Sequence, residues 1–445
     1  QSTATPSPFQ QDIAICNGNP NIGNNFAYIN NSTLFNEINS NGQNVYFTTT
    51  FEDTPNIYSW YAGQFTYNGV TCDIWWVNIP NGIPANSNIT IYMYIGPSSA
   101  NFYLSLYPYV GASPQVISGY DNGQKVFIVY GYFNNTFDGW SGYISAESFS
   151  PTATSNGIEM INNSEGEGTY ILPPNNWNIP KIPLIVEEAW YHTSGADANV
   201  IALFGNTSNQ IGAGGGSTPT SNLSTYVQFE YYNGYPGVYL KFANTVNGNT
   251  LSSTSFPTSS GTIYSYLIVN STYAETGYYI YNSNQVWAPL TLLDTYSINY
   301  NNYIYANLNY NPFQYGTLEI GAGDGGVSSY QYVEWIIARA YPPNDIMPSL
   351  NLSQATPTNW YAINITNSQS QTTPSPFQQD IAICNSTPSV SSSFAYINNP
   401  ALFYQIDSNG QNVYFTTTYG NSPNIYSWYE GQENFNSVYC DVWWI

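Results

Sequence analysis

Charged side chains are scarce in this sequence, and basic ones are almost absent. Only 7% of its 445 residues are Asp, Glu, Lys or Arg, against about a quarter in ordinary soluble proteins. The 26 acidic residues outnumber the 4 basic ones and leave a formal charge of −22 at pH 7. Because proteins bind nucleic acid largely through Lys and Arg contacts to phosphate, this balance excludes a nucleic-acid-binding protein of the usual kind.

Histidine and long apolar segments are also missing. His192 is the sole histidine, which argues against a Ser-His-Asp triad and against His-rich metal sites. No run of about 20 apolar residues predicts a membrane span. The chain does not open on the apolar segment of a signal peptide, so we expect Gln1 to follow a removed signal and any anchor to lie beyond residue 445.

The polar surface must therefore consist mainly of amide and hydroxyl side chains. Such a surface titrates little, and stability depends on pH only through groups that titrate differently on folding. The composition predicts a protein of a hot or acidic exterior, with thermal unfolding that changes little between about pH 3 and pH 7. The alternative is that an adhesive or glycosylated surface protein has drifted to the same composition.

One segment occurs twice. TPSPFQQDIAICN begins at Thr5 and again at Thr373, and the similarity continues to CDIWW in the first copy and CDVWW in the second. The period of 368 residues (373 minus 5) is far too long for a solenoid. The sequence predicts a duplicated unit of several domains.

The second copy ends at Ile445, the counterpart of Val77, and lacks a match to the strand-like segment at 89–96. Because natural domains avoid an unpaired edge, we expect the chain to be a piece of a longer protein. The alternative is that a strand from a neighbouring subunit completes the domain.

Each copy carries one pair of cysteines at the same spacing. This predicts two disulfides, Cys16 with Cys72 and Cys384 with Cys440, and an oxidising compartment. Zinc is the rival interpretation, but two cysteines with no neighbouring Cys or His make a poor zinc site.

Glycosylation sequons support an extracellular location at the cell surface. They are Asn30, Asn31, Asn88, Asn134, Asn162, Asn206, Asn222, Asn270, Asn351, Asn364 and Asn385.

Short apolar runs separated by turn residues predict a small all-β domain over residues 1–111. We expect its first residues, to about residue 15, to form an extended lead-in. The segments IYSWY (57–61), CDIWWVNIP (72–80) and ITIYMYIG (89–96) resemble an uncharacterised β-domain of archaeal and bacterial secreted surface proteins. That domain is often followed by a concanavalin-like jelly roll. The resemblance implies location and architecture but no activity, and the cysteine pair is an addition to its pattern.

Residues 112–348 are similar to the jelly roll of that arrangement. FDGW (137–140) and NGIEMI (156–161) resemble the opening of a laminin-G or concanavalin-like module. Alternating segments predict a two-sheet antiparallel sandwich with strands at 182–191, 199–204, 225–233, 237–243, 262–270, 277–281, 316–321 and 331–341. A linker at 349–372 includes NWYAINI, which could form a strand, and an incomplete second small domain follows at 373–445. The predicted fold class is thus tandem β-sandwich domains.

Some jelly rolls are glycosidases, so the acidic residues of this region are candidate catalytic groups. Glu187 and Glu188 are adjacent, which places them on opposite faces of a strand, whereas a retaining glycosidase needs two carboxyl groups about 5 Å apart. We expect one of them to be solvated and the other paired with a nearby Lys or Tyr. Structural roles are also expected for Glu230 and Glu334.

Acidic residues in Gly-rich loops could bind calcium, namely Asp324 in GAGDGG and Glu165 with Glu167 in NNSEGEG. Plain turns explain the same pattern, and no cofactor is predicted. The segment GAGGGS at 212–217 lacks a strand-to-helix context and predicts a flexible loop, not a phosphate site.

Aromatic residues make up 17% of the chain, so many must face outward. Outward tyrosines can stack on sugars or pack against identical neighbours, and the sequence leaves both partners open. The leading hypothesis is a non-enzymatic structural or adhesive protein of an archaeal surface layer, filament or stalk. The alternative is a lectin-like adhesin, cellular or viral, and a third is a polysaccharide-degrading enzyme.

Overall fold

A computed structural model of the chain shows an all-β protein. It describes residues 2–22, 26–50, 54–144, 150–162, 169–174, 179–192, 198–204, 226–232, 237–243, 249–254, 261–270, 273–282, 289–291, 302–307, 317–322, 329–352, 378–390, 395–417 and 425–445. The chain divides into two compact units, residues 1–49 with 55–352 and residues 50–54 with 353–445. Within the described ranges, no helix is long and apolar enough to span a lipid bilayer.

The first part of unit 1 is the small β-domain. Its strands are β1 (Phe9–Cys16), β2 (Tyr28–Asn30), β3 (Val45–Thr48), β4 (Ser59–Tyr67), β5 (Val70–Ile79), β6 (Tyr92–Ile95) and β7 (Val110–Ala112). They form a five-stranded sheet in the order β2-β1-β5-β4-β7 and a separate pair, β3-β6. Two short helices, α1 (Ser32–Glu37) and α2 (Phe102–Leu106), are capped by the side chains of Asn31 and Asn101.

The expectation of an extended lead-in to about residue 15 is wrong. Strand β1 is fully buried and pairs with β5 along its whole length, from Phe9 opposite Ile79 to Cys16 opposite Cys72. The consecutive polar residues 10–12 hide this strand in the sequence, because they break the apolar alternation that marks a strand. Their side chains find hydrogen-bond partners only in the folded protein.

The rest of unit 1 is a sandwich of two sheets, in which all described pairings are antiparallel. A short helix, α3 (Gly123–Val126), precedes it. Its strands are β8 (Val129–Tyr132), β9 (Ser141–Ile144), β10 (Thr152–Thr154), β11 (Gly157–Asn162), β12 (Thr169–Leu172), β13 (Leu184–His192), β14 (Ala198–Phe204), β15 (Tyr226–Tyr232), β16 (Gly237–Ala243), β17 (Asn249–Thr254), β18 (Gly261–Val269), β19 (Tyr273–Asn282), β20 (Asn302–Asn307), β21 (Thr317–Ala322) and β22 (Ser329–Ala340).

One sheet has the order β10-β11-β22-β13-β18-β19-β20, with β8 also paired to β22, and the other has the order β17-β16-β15-β14-β21-β12-β9. The predicted fold class is confirmed, and each predicted strand of the sandwich overlaps an observed one. Strands β8, β9, β10, β12, β17 and β20 were not predicted, and β11 coincides with the segment NGIEMI. The segments at 212–217 and 359–365 lie outside the described residues.

Unit 2 repeats the small domain. Its elements are β23 (Asp380–Cys384), β24 (Tyr396–Asn398), α4 (Pro400–Phe403), β25 (Trp428–Phe435) and β26 (Val438–Trp444). The strand order β24-β23-β26-β25 matches β2-β1-β5-β4 of the first copy. Disulfide bonds join Cys16 to Cys72 and Cys384 to Cys440. The domain boundaries stay predictions, because in unit 1 the small domain and the sandwich share one cluster of buried residues.

Candidate interaction surface

The main sheet of the first small domain buries both of its faces. One face carries Tyr61 and Trp75 and packs within the domain against β3. The other carries Trp60 and Trp76 and packs on the jelly roll, in a cluster that includes Trp335. Because successive side chains of a strand point to opposite faces, the adjacent pair Trp75 and Trp76 serves both cores. We call the second face the tryptophan face.

Trp60, which lies opposite Trp76 in the sheet, has no exposed surface. Its indole N–H donates to Asp121 Oδ1 over 3.0 Å, and its ring meets Phe127 edge to face at 5.2 Å. The hydroxyl of Tyr130 donates to the other Asp121 oxygen at 2.8 Å. Burial raises the pKa of Asp121, and these hydrogen bonds oppose that rise. The segment before β8 is therefore held to the small domain by a closed polar network.

A buried ion pair between two neighbouring strands of the sandwich lies against the small domain. Arg339 Nε is 2.8 Å from Glu187 Oε2, and both side chains are buried. The guanidinium carbon of Arg339 also lies 4.8 Å from the ring centroid of Trp76, and Tyr264 OH donates to Glu187 Oε1 at 2.6 Å. Burial raises the pKa of Glu187, while the charge of Arg339 lowers it. A buried charge pair of this kind is costly to break from one side.

The polar residues of β1 complete the contact. Gln10 Oε1 accepts a hydrogen bond from the backbone N–H of Ala340 at 2.9 Å. Gln11 Nε2 donates to the carbonyl of Pro348 at 3.2 Å. Burial raises the pKa of Asp12 to about 7, against the opposing effects of the Ala27 N–H and the Arg339 charge. The small domain and the sandwich are thus joined by directional contacts as well as apolar ones.

Glu187 and Glu188 extend to opposite sides of β13, since the neighbouring Ile185 and Val186 belong to two different core clusters. The expectation that one of the two is solvated is wrong, because both are 0% exposed. The expected Lys or Tyr partner is found for Glu187, which accepts a hydrogen bond from Tyr264 and also pairs with Arg339. Glu188 Oε1 accepts from Ser265 Oγ at 2.9 Å. The two carboxylates do not form the paired acids of a retaining glycosidase.

Glu334 is buried beside an irregularity in the pairing of β13 with β22. The side chains of Glu165, Glu167, His192, Glu230 and Asp324 lie outside the described residues, so their predicted roles stay predictions. Among the residues that the structure does describe, no three His, Cys, Asp or Glu side chains are grouped as a metal site would need.

The predicted sequons differ in accessibility. Those that are exposed are Asn30, Asn88, Asn134 and Asn351, and those that are half-buried are Asn31, Asn270 and Asn385. The side chains of Asn162, Asn206, Asn222 and Asn364 lie outside the described residues. Asn31 and Asn385 also accept hydrogen bonds from the backbone N–H groups of Leu34 and Tyr439. Glycosylation at all of these positions stays a prediction.

In the second copy the two tryptophans of this face are exposed to solvent. Trp428 and Trp444, the counterparts of Trp60 and Trp76, are 62% and 41% exposed. On the opposite face, by contrast, Trp443 is buried and packs on Tyr429 at 4.9 Å, just as Trp75 packs on Tyr61. One face of the repeated domain is therefore built alike in both copies, and the other differs in exposure.

Sequence reasoning missed the part played by Arg339 and Gln10. The available signal was the rarity of basic residues: an arginine within the apolar segment VEWIIARAY needs a buried partner, and the neighbouring strand supplies Glu187.

No family model matches the chain. A curated relative, an uncharacterised protein of Sulfolobus islandicus rod-shaped virus 1, is 27% identical over 374 residues, which covers 80% of this chain and 58% of the relative. The chain thus spans less than two thirds of that relative's length.

Similar solved structures include the exoplasmic/lumenal domain of VIP36 bound to Ca²⁺ and Man3GlcNAc, with 10% identity, a TM-score of 0.36, and coverage of 52% of this chain and 91% of that one. Carbohydrate-binding module CBM66 of Bacillus subtilis has 8% identity and a TM-score of 0.30, with 45% and 96% coverage. The legume lectin-like domain of Entamoeba histolytica has 9% identity and a TM-score of 0.30, with 48% and 90% coverage.

Proposed function

We propose that this protein is a non-enzymatic, extracellular structural or adhesive protein, a repeated module of a surface layer, filament or stalk. The observation that carries the proposal is the recurrence of one disulfide-bonded domain, with the same strand order, on both sides of a jelly roll. Its partners in this role are identical subunits or other surface proteins.

The setting we propose is the exterior of an archaeal cell or of a virus that infects one. The viral relative supports this setting, and its name ties that virus to Sulfolobus. Disulfides suit an oxidising exterior. Burial raises the pKa values of the Asp12 and Asp73 carboxyl groups to about 7, so these groups are neutral in acid. Buried neutral carboxyl groups suit an acidic exterior.

Electron microscopy of the purified protein tests the structural role, together with mass spectrometry of the intact chain. We expect ordered filaments or sheets at high protein concentration. A protein that stays monomeric and unordered at every concentration would count against a structural subunit and would favour the adhesin below.

The second candidate function is a lectin-like, glycan-binding adhesin. Tyr58 and Tyr109 stack with ring centroids 4.8 Å apart and an interplanar angle of 10°, and Tyr109 is 39% exposed. The neighbouring Tyr107 is 47% exposed. Flat, partly exposed aromatic rings are suited to stacking on a sugar ring.

A glycan array probed with the intact protein tests this candidate. Specific binding that Tyr109→Ala abolishes, and that the control Tyr404→Ala leaves intact, would support it, because Tyr404 is an exposed tyrosine of unit 2. The third hypothesis, a polysaccharide-degrading enzyme, predicts release of reducing sugar from polysaccharides, and a negative assay on a broad panel would end it.

A further inference from the structure

We propose that the tryptophan face of unit 2 binds the arginine-bearing sheet of a second jelly roll, a module of the type that β8 to β22 form in unit 1. This inference rests on the proposed modular function and names the partner of the repeated domain. The face in unit 2 consists of Gln378, Asp380, Tyr426, Trp428 and Trp444.

Corresponding residues of the two small domains differ in burial. Trp60 is 0% exposed in unit 1, whereas Trp428 is 62% exposed. Gln10 is buried and accepts a hydrogen bond from Ala340, whereas Gln378 is exposed. Tyr426 is 100% exposed. Contiguous exposed apolar surface of this kind marks an interaction site on a folded protein.

The sheet that carries this face has the same strand order and disulfide as its counterpart in the first copy. Tyr429 OH donates to Asp441 Oδ1 at 2.5 Å, as Tyr61 does to Asp73 in unit 1. The disulfide is in place between β23 and β26. The exposure of the tryptophans therefore comes from an uncovered face and not from an unformed core.

The second small domain carries only negatively charged side chains. Residues 373–445 contain no Lys, Arg or His, and their acidic residues are Asp380, Asp407, Glu430, Glu433 and Asp441. Trp444 Nε1 donates to Glu430 Oε2 at 2.9 Å, and Glu430 stands where the first copy has Ala62. The face thus presents an indole beside a carboxylate, and a complementary partner supplies a cation.

Unit 1 shows how a jelly roll supplies that cation. Arg339 lies over the ring of Trp76. Its positive charge also favours the ionised form of Asp12 and so opposes the rise in pKa that burial causes. A guanidinium fits this position better than an ammonium, because it is planar, stacks on aromatic rings and forms directed bonds to carboxylates. Two tryptophan faces packed on each other would instead bring like charges together, which argues against a dimer through this face.

Hydroxyl-radical footprinting, which reports the exposure of each aromatic side chain, provides the first test on the chain as it exists. In dilute solution we expect Tyr426, Trp428 and Trp444 to be oxidised rapidly while Trp60 and Trp76 are protected. Protection of Trp428 and Trp444 in the monomeric chain would overturn the proposal, because the face would then be covered already.

The second test supplies the partner. Residues 78–352 are joined after Ile445, which keeps the register of the repeat because Ile445 is the counterpart of Val77. We expect the oxidation of Trp428 and Trp444 to fall to the level of Trp60 and Trp76. Replacing the added copy of Arg339 by alanine restores part of the oxidation, whereas replacing the added copy of Lys181, which is exposed in unit 1, does not.

Rapid oxidation of Trp428 and Trp444 beside a folded added jelly roll would overturn the proposal. Failure of the added residues to fold would also overturn it, since the same residues fold on the first copy. Absence of filaments or sheets in the microscope, with the face protected by the added module, would remove the structural function and leave this inference standing.

Discussion

Arg339 lies against Trp76, with the guanidinium carbon 4.8 Å from the indole centroid, and so joins the last long strand of the sandwich to a central strand of the small domain. The same arginine pairs with Glu187 on the neighbouring strand β13. The chain has only 4 Lys and Arg residues, and one of them is therefore buried at the contact between two modules.

Replacing this arginine should destabilise unit 1 strongly. Arg339→Ala leaves the carboxylate of Glu187 buried without its cation, which typically costs about 3–5 kcal/mol. Chemical denaturation followed by tryptophan fluorescence measures the loss. The control Lys181→Ala removes an exposed charge and should change stability by less than about 0.5 kcal/mol. Equal midpoints for the two variants would show that the buried ion pair does not stabilise unit 1.

Stability should increase as the pH falls from about 8 to about 4. Burial raises the pKa of Asp12 and Asp73 from 3.8 to about 7, and that of Asp138 to about 6. A carboxyl whose pKa is higher in the folded than in the unfolded state stabilises the fold fully below its unfolded pKa. That stabilisation is lost as the pH rises through the folded value, and each pKa unit corresponds to about 1.4 kcal/mol.

The composition predicts thermal unfolding that changes little between about pH 3 and pH 7, whereas the buried carboxyl groups predict stability that increases on acidification within that range. Thermal unfolding across this pH range measures the effect, and Asp73→Asn should flatten the profile because it removes one titrating group. A midpoint that falls steadily on acidification would contradict the assignment.

Reduction of the disulfides should destabilise each small domain separately. The bond between Cys16 and Cys72 closes a loop with a sequence separation of 56, and that between Cys384 and Cys440 has the same separation. In the chain-entropy model a loop of this length is worth about 4 kcal/mol. Replacing the second pair by serine should increase hydrogen exchange in unit 2 and leave β1 and β5 protected. The same exchange in both units would contradict this independence.

Gly111 should not tolerate a side chain. A Cβ at this position would collide with the side-chain amide of Asn122, which is buried and donates to the carbonyls of Ser59 and Pro108. We expect Gly111→Ala to cost about 1–3 kcal/mol through overpacking. Gly18→Ala is the control, because its Cβ would meet only a side-chain methyl of Val70 at 3.1 Å. Thermal unfolding of both variants measures the cost, and equal midpoints would mean that Asn122 and the nearby backbone carbonyl of Tyr120 can both move aside.

Several features of the fold could be predicted because they depend on local pattern. Period-2 alternation located β13 and β22 almost to the residue, and the repeat spacing led to both cysteine pairs. Strand β1 was missed for the opposite reason: Gln10 and Asp12 are polar, and their burial depends on partners more than 300 residues away, at Arg339 and Ala340.

The tryptophan face shows most clearly what the sequence alone could not predict. Trp60 and Trp428 occupy equivalent positions in two copies of one repeated sequence, yet one is buried and the other is exposed. The sequence by itself determined an all-β, charge-poor, duplicated chain with paired cysteines, since composition, period and spacing are local properties. Only the tertiary structure decided which strand faces are covered and by which residues, because a strand with two apolar faces does not specify what packs on either one.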